Sequence, residues 1–293
     1  VIGMDFVEKL KKHIISTELL VDISEVRDLH SRETSGGLLT IGAAATLTDI
    51  ADDESIKKNH TALAEAAGAV GSPQVRNVGT IGGNLCQRPR CWYYREEEYP
   101  CLKKGGDQCF AAIGRNKYHA ILGGGPCFIV HPSDCAPALI ALGAKVQLLG
   151  SDGSREMPVE EFFILPEQDF TRETVIKSDE IITAVEIPRH NMKSTYLKFR
   201  ERDGFDWALS SVAMAMELDG KRCKKANIVL GGVAPVPWRA TDAEKTLSGK
   251  EITDSLAETA GEEATKDAVP LEENGYKVAL TKALIKQAIL KLV

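Results

Sequence analysis

The chain has 293 residues, 43% apolar and 27% charged. That is about twice a typical domain with ordinary globular composition, so two or three packed units are expected and intrinsic disorder is excluded. A net charge of −6 argues against nucleic acid as the main partner, and no run approaches the roughly 20 apolar residues of a membrane span.

The chain begins at Val1, not at a methionine, so a truncated N-terminus is expected, and a signal peptide lost with it stays open. The opening VIGMDFVEKLKKHIISTELLVDIS reads as a glycine turn, a helix and a short strand. Phe6, Leu10, His13 and Ile14 recur at helical spacing, whereas Leu19 to Ile23 is an apolar, strand-like run. Leu38 to Ala43 is a second strand, and Thr46-Leu-Thr-Asp starts a helix. Thr61 to Val70 is an alanine-rich helix stopped at Gly71-Ser-Pro. Gln74 to Asn84 carries three glycines and reads as a loop whose backbone N–H groups can approach an anion.

Residues 86 to 130 are polar, rich in cysteine and glycine, and without periodicity; so long a loop suggests a function. Ordinary patterning returns with a short helix, PALIALGA. AKVQLL, SDGS and REMPVEEFF then make a strand, a turn and a strand. EIITAVEIP is one more strand, and Arg189 to Ser194 marks a boundary. Beyond it, TYLKFRER and Val212 to Leu218 alternate as strands, Asp219-Gly220 turns a hairpin, and Ala226 to Leu230 returns. Two helices close the chain; in the last, Leu280, Leu284, Ile285, Ala288, Ile289 and Leu292 share a face.

Three places carry chemistry. Thr80-Ile-Gly-Gly-Asn84 permits positive φ and side-chain-free approach, and Thr80 and Asn84 offer hydrogen bonds. It lacks the G-x-G-x-x-G spacing, reads as not opening a helix, and has no Gly-Lys-Ser/Thr. A tight loop between strands explains it equally well. In His131-Pro-Ser-Asp134, Ser133 or Asp134 can cap the following helix, or Asp134 can hold a ribose or ribityl hydroxyl. The third place is the cysteines: six of seven fall within fifty residues, in a domain too large to need a disulfide framework. Cys91, Cys101, Cys109 and Cys127 suit zinc or an iron–sulfur cluster, and the lack of a C-x2-C knuckle disfavours zinc. Free structural thiols remain the alternative. Cys135 and Cys223 read as buried apolar residues, and Cys86 after the glycine loop is open between packing and facing a cofactor. His119 and His131 receive no role. Lys198, Arg200, Arg202 and Asp206 fit a solvated strand edge, and Phe205 and Trp207 fit the core.

These motifs together resemble the FAD-binding medium subunit of molybdenum hydroxylases, of the xanthine dehydrogenase and carbon monoxide dehydrogenase type. The resemblance rests on LLTIGAAATLTDIA, PQVRNVGTIGGNL, HPSDCAPALIALGAKVQL, PVEEFF and EIITAVEIP. Further on, YLKFRERDGFDWALSSVAMAM and VLGGVAPVPWRAT are similar to the family's C-terminal domain. The resemblance implies an α+β protein with a two-subdomain FAD fold (1–45 and 46–188) and a smaller C-terminal domain with an antiparallel sheet (192–293). It implies a diphosphate loop at Thr80, Ile81, Gly82, Gly83 and Asn84, with Ser133 and Asp134 near the FAD sugar region and Lys198 near the isoalloxazine edge. A second loop of Ala-Gly-Gly-Thr-Asp type corresponds to Val1–Phe6, which keeps Gly3 and Asp5 but lacks the glycine pair.

Most such proteins pass directly from the glycine loop to the Ser-Asp segment, whereas this chain inserts roughly forty residues (about 86–130). The insertion is similar to that of the branch carrying an extra [4Fe–4S] cluster, as in 4-hydroxybenzoyl-CoA reductase and some bacterial aldehyde oxidoreductases, which implies Cys91, Cys101, Cys109 and Cys127 as ligands. The implied partners are a large molybdopterin subunit, a small [2Fe–2S] subunit and a ferredoxin-like carrier; a cytoplasmic location is expected by default, with export alongside a signal-bearing partner left open. The rival readings are a stand-alone flavin oxidase and a zinc-stapled binding module.

Overall fold

Two antiparallel sheets organise the chain. The computed structural model describes residues 3–202 and 204–293. Val1, Ile2 and Asp203 lie outside them, including the first two residues of the stretch matched to the N-terminal loop.

Helix α1 (Met4–Lys11) is followed by irregular chain, then β1 (Arg32–Ser35) and β2 (Leu38–Gly42). The Leu19–Ile23 run forms no strand: Leu19 is 74% exposed, and no ladder takes up its backbone. An apolar run needs a sheet edge to pair with, which local pattern does not report. Four short helices come next, α2 (Leu47–Asp52), α3 (Glu54–Asn59), α4 (Thr61–Gly68) and α5 (Pro73–Val78). Thr46 closes a capping box with Asp49, and Ser72 caps α5 with proline in its first turn. Helix α6 (Ile81–Leu85) then opens within the glycine loop, capped by Thr80. The expectation of a non-helical loop over 74–84 is corrected here. Two cap residues outweigh the glycines, which lower propensity only where nothing else fixes the backbone.

The cysteine-rich region holds one helical turn, α7 (Trp92–Arg95), and little other regular structure. Helix α8 (Cys135–Ala141) leads into β3 (Lys145–Gly150), β4 (Gly153–Pro158) and β5 (Ile181–Pro188). The strand expected over REMPVEEFF stops at Pro158, and Val159–Phe162 is a 3-10 turn. The first sheet has the order β1-β2-β5-β3-β4, with Ile41 opposite Val185 and Val146 opposite the same valine across β5. No helix is long and apolar enough to cross a membrane among the described residues.

The second sheet contains β6 (Lys193–Phe199), β7 (Ser210–Asp219), β8 (Arg222–Gly231) and the short β9 (Trp238–Arg239), in that order. Gly220 at φ 57° turns the β7–β8 hairpin. Three helices follow rather than the expected two: α9 (Thr241–Leu247), α10 (Asp254–Thr265) and α11 (Tyr276–Leu292). Only Ala243 and Leu247 of α9 are buried, too few to produce a helical period. The face of α11 holds as expected for Leu284, Ile285, Ala288, Ile289 and Leu292, and α11 packs on β6 and β7 while α8 covers β7 and β8 and α4 covers β6. Helix α8 also contacts α6, which touches β5, so helices lead from one sheet to the other, and Asn84, Ser133 and Asp134 lie along that path.

Candidate functional site

The glycine loop sits against the end of β2. Gly82 donates to Ala43 O at 2.9 Å, and a Cβ at Gly82 would stand 2.9 Å from Ala43 Cβ and 3.0 Å from its carbonyl oxygen. None of Gly79, Gly82 and Gly83 has positive φ, so the glycines serve close approach, not a left-handed turn. The amide hydrogens are already used. Ile81 donates to Ala45 O, Gly83 to Thr80 Oγ1 and Asn84 to Thr80 O. An anion at this loop therefore meets side-chain donors, the Thr80 hydroxyl and the Asn84 amide, and not the expected row of backbone N–H groups.

Ser133 joins this loop to the second motif. Its hydroxyl donates to Asn84 Oδ1 at 2.5 Å and accepts from Ala136 N at 2.9 Å, so Ser133 caps α8. Asp134 is thereby free of capping. It is 3% exposed, and its two oxygens accept from Tyr196 OH at 2.6 Å and Lys198 Nζ at 2.7 Å. Lys198 is buried with it, not on a solvated edge as residue type suggested, and also donates to Ala69 O. Burial and the Asp134 charge push the Tyr196 hydroxyl well above its usual pKa.

Two hollows meet here. The larger, about 560 Å³, is lined by Gly3, Asp5, Thr80, Gly83, Asn84 and Trp207 among others; its size suits a cofactor. The smaller, about 200 Å³, is lined by His131, Ser133 and Asp134. Arg90, Trp92, Asp206 and Trp207 line both. Phe205 (67% exposed) and Trp207 (41%) therefore belong to the cleft wall, not the core. Phe205 adopts φ 57°, rare for a bulky residue, and donates its N–H to Gly71 O. This pins the β6–β7 loop across the cleft.

Asp5 is committed to arginines from the insertion. It accepts from Arg88 N at 2.9 Å and pairs with Arg95 at 2.6 Å and Arg90 at 3.0 Å. Burial pushes its carboxyl up, but Arg90 and Arg95 outweigh that and hold it below the usual carboxylate range. The Arg90 guanidinium stacks 4.5 Å above the Trp207 ring. Residue-type reasoning passed over Arg90, Trp92, Arg95 and Tyr196; the one visible signal was the density of arginine and aromatic residues in RPRCWYYR.

Cys91, Cys101, Cys109 and Cys127 all line one small pocket, together with Lys103 and His119. His119 Nε2 lies 3.2 Å from Cys91 Sγ, a contact missed when this histidine received no role. His119 also lines the smaller hollow, so one ring is shared by both walls. Burial and then Lys277 push it down to about 4. A hydrogen bond from the Cys127 thiol draws Cys109 down to about 6 and raises Cys127, whereas burial drives Cys91 up to about 12. Among the described residues no three His, Cys, Asp or Glu side chains are grouped closely enough to hold a single metal ion. All seven cysteines are free thiols; Cys135 and Cys223 are buried as expected, and Cys86 packs against the hydrophobic core built around β2, α4 and α8.

A two-domain helix-and-sheet protein with a cofactor-sized cleft beside a cysteine pocket is the class defined so far. Residues 2–190 match the family described as the FAD binding domain in molybdopterin dehydrogenase, and residues 194–292 match the CO dehydrogenase flavoprotein C-terminal domain. The chain belongs to this family of FAD-binding subunits of oxidoreductases. It is similar to the aldehyde oxidoreductase FAD-binding subunit of Escherichia coli, 32% identical over 98% of this chain and 88% of that one. The glyceraldehyde dehydrogenase medium chain of Sulfolobus acidocaldarius is 28% identical over 98% and 87%. Among solved structures, carbon monoxide dehydrogenase from Hydrogenophaga pseudoflava superposes with a TM-score of 0.77 at 25% identity, covering 99% of this chain and 87% of that one.

Proposed function

We propose that the chain is the FAD-binding electron-transfer subunit of a molybdopterin-dependent oxidoreductase complex, with substrate chemistry on a partner. The observation that carries this reading is the cleft lined by Thr80, Gly83 and Asn84, in a chain matched to the FAD-binding domain over residues 2–190. Bound flavin interconverts one- and two-electron chemistry, which is what such a subunit supplies. In this reading Thr80, Ile81, Gly82, Gly83 and Asn84 form the diphosphate loop, and Gly3 and Asp5 line the same cleft. Ser133, Asp134 and Lys198 act on the sugar and ring region. Because both Asp134 oxygens are bonded inside the protein, Asp134 and Lys198 do so by bracing the wall of the smaller hollow. The division into 1–45, 46–188 and 192–293 is part of the same proposal.

The cysteine pocket is proposed to hold a [4Fe–4S] cluster through Cys91, Cys101, Cys109 and Cys127. Four thiols on one pocket suit that donor set. Each cysteine of such a cluster binds a different iron, so the sulfurs need not crowd around one point; a single zinc ion demands that crowding. The buried Lys103 ammonium on the same wall suits thiolates. A large molybdopterin subunit, a small [2Fe–2S] subunit and a ferredoxin-like carrier complete the proposal, with the complex in the cytoplasm. The test is anaerobic purification of the full chain with its partners, with flavin and iron counted. One FAD per chain and four irons beyond the small subunit's share are expected. Absence of flavin overturns the central reading, and flavin without the extra iron overturns the cluster alone.

A further inference from the structure

The charge beside the cleft does not balance. Among the described residues Asp5 and Glu8 are the carboxylates of an ion-pair network joining α1 to the insertion. They pair with three cations, Lys9, Arg90 and Arg95. One positive charge is left over. Lys9 is 8% exposed and Arg95 4%, so water screens little of that surplus, and an uncompensated buried charge is costly. Asp206 and Lys12, other charged groups of the cleft wall, are already neutralised by Arg202 and Glu96.

The arginine nitrogens point the same way. Arg90 Nε is buried without a hydrogen-bond partner, and buried Arg95 Nη1 has only the Glu8 carboxylate at 3.6 Å, although guanidinium donors inside proteins are normally satisfied. Both side chains line the larger cleft. The glycine loop lines the same cleft, and its amide hydrogens from Ile81 to Asn84 are spent within the protein. A dianion held there finds the hydroxyl and amide dipoles of the loop together with the surplus positive charge.

We propose that Arg90 and Arg95, carried by the cysteine-bearing insertion, form the charged arm of the diphosphate site that Thr80 and Asn84 also line. This rests on the reading of the cleft as an FAD site and goes beyond it. Asp5 sets the two guanidinium groups in position without touching the ligand itself. Guanidinium groups keep their positive charge at any working pH, and it is this charge that the site uses. The cysteine insertion is thereby also a cofactor clamp, so loss of flavin and disorder of the insertion are coupled.

The test measures FAD affinity of the full chain by flavin fluorescence at two salt concentrations, for wild type, Arg90→Gln and Arg90→Lys, with inorganic pyrophosphate as competitor. Arg90 is the partly exposed member of the pair, so its replacement is chosen over Arg95. The expected result is at least tenfold weaker FAD binding in R90Q, weaker competition by pyrophosphate, and a flatter salt dependence, with most of the affinity restored in R90K. An R90Q affinity within twofold of wild type overturns the proposal. So does an R90K variant as weak as R90Q, since a stacking role on Trp207 would then account for the loss. If R90Q fails to fold, R90K alone decides: near-wild-type affinity with intact salt dependence supports the arm, and a tenfold loss overturns it. A wild-type chain that binds no FAD overturns the cleft reading itself, a distinct outcome.

Discussion

Asp134 shows how one residue changes meaning with its surroundings. In the chain it precedes a helix, where a carboxylate is a routine cap, yet Ser133 takes that task and leaves Asp134 buried between Tyr196 and Lys198. The pair joins the motif after the insertion to a strand of the second sheet, so it ties the two halves of the molecule at the cleft. Breaking a buried pair from one side leaves a charge without a partner, which costs about 3–5 kcal/mol. Asp134→Asn is therefore expected to destabilise the chain by about that amount while keeping a hydrogen bond from Tyr196. The double variant Asp134→Asn with Lys198→Met should recover most of the loss. Denaturant midpoints at constant slope check this; a D134N midpoint equal to that of wild type would show that the ion pair contributes nothing.

At the scale of elements, helix α6 illustrates what local pattern conveys and what it omits. Thr80-Ile-Gly-Gly-Asn was identifiable as a place of close backbone approach. What it approaches was not: the near neighbour is Ala43, across some forty residues of chain. Gly82→Ala is expected to cost roughly 1–3 kcal/mol of stability by overpacking against a backbone that cannot move aside. Gly83→Ala should cost less, because its Cβ meets only the Thr80 hydroxyl, at 3.1 Å. Equal melting temperatures for the two variants would contradict the packing argument. The same contrast explains which elements were legible. Strands β2, β3, β5, β7 and β8 alternate or run apolar into a core and were recognised from period alone. Leu19–Ile23 has the same look but no edge to join, and Phe205 and Trp207 have core-like side chains on a loop that the Phe205–Gly71 hydrogen bond holds over a cleft. In each case the deciding contact is remote in the chain. The cysteines were legible as a group because their types restrict their chemistry, whereas Arg90 and Arg95 were not, because an arginine is ordinarily a solvated surface residue.

For the molecule as a whole, buried histidines set the response to acid. Burial, reinforced by His190, pushes His60 down to about 4, and burial with the Lys103 charge pushes His131 down to about 3. His190, whose ring nitrogen lies 3.1 Å from His60, is also lowered by burial. In the unfolded chain these rings regain a pKa near 6.5. Between about 6.5 and 4 the unfolded state therefore binds more protons than the folded one, and folding stability falls as pH falls. Carboxylates behave alike but lower: Glu180 and Asp242 are held near 2 by Arg155 and Lys245, against unfolded values near 4. Their contribution is lost only below about pH 4.5, so the interval from there to about pH 6 isolates the histidines. The unfolding midpoint is expected to decline steadily from pH 6 to 4.5, below the range where Lys277, pushed down to about 7 by burial, and Cys109 titrate. His60→Gln should flatten part of the decline, since a glutamine there takes up no proton. A midpoint constant down to pH 4.5 would mean that these rings are hydrated in the folded chain, and the packing of α4 against the start of the second sheet would then have to be looser than described.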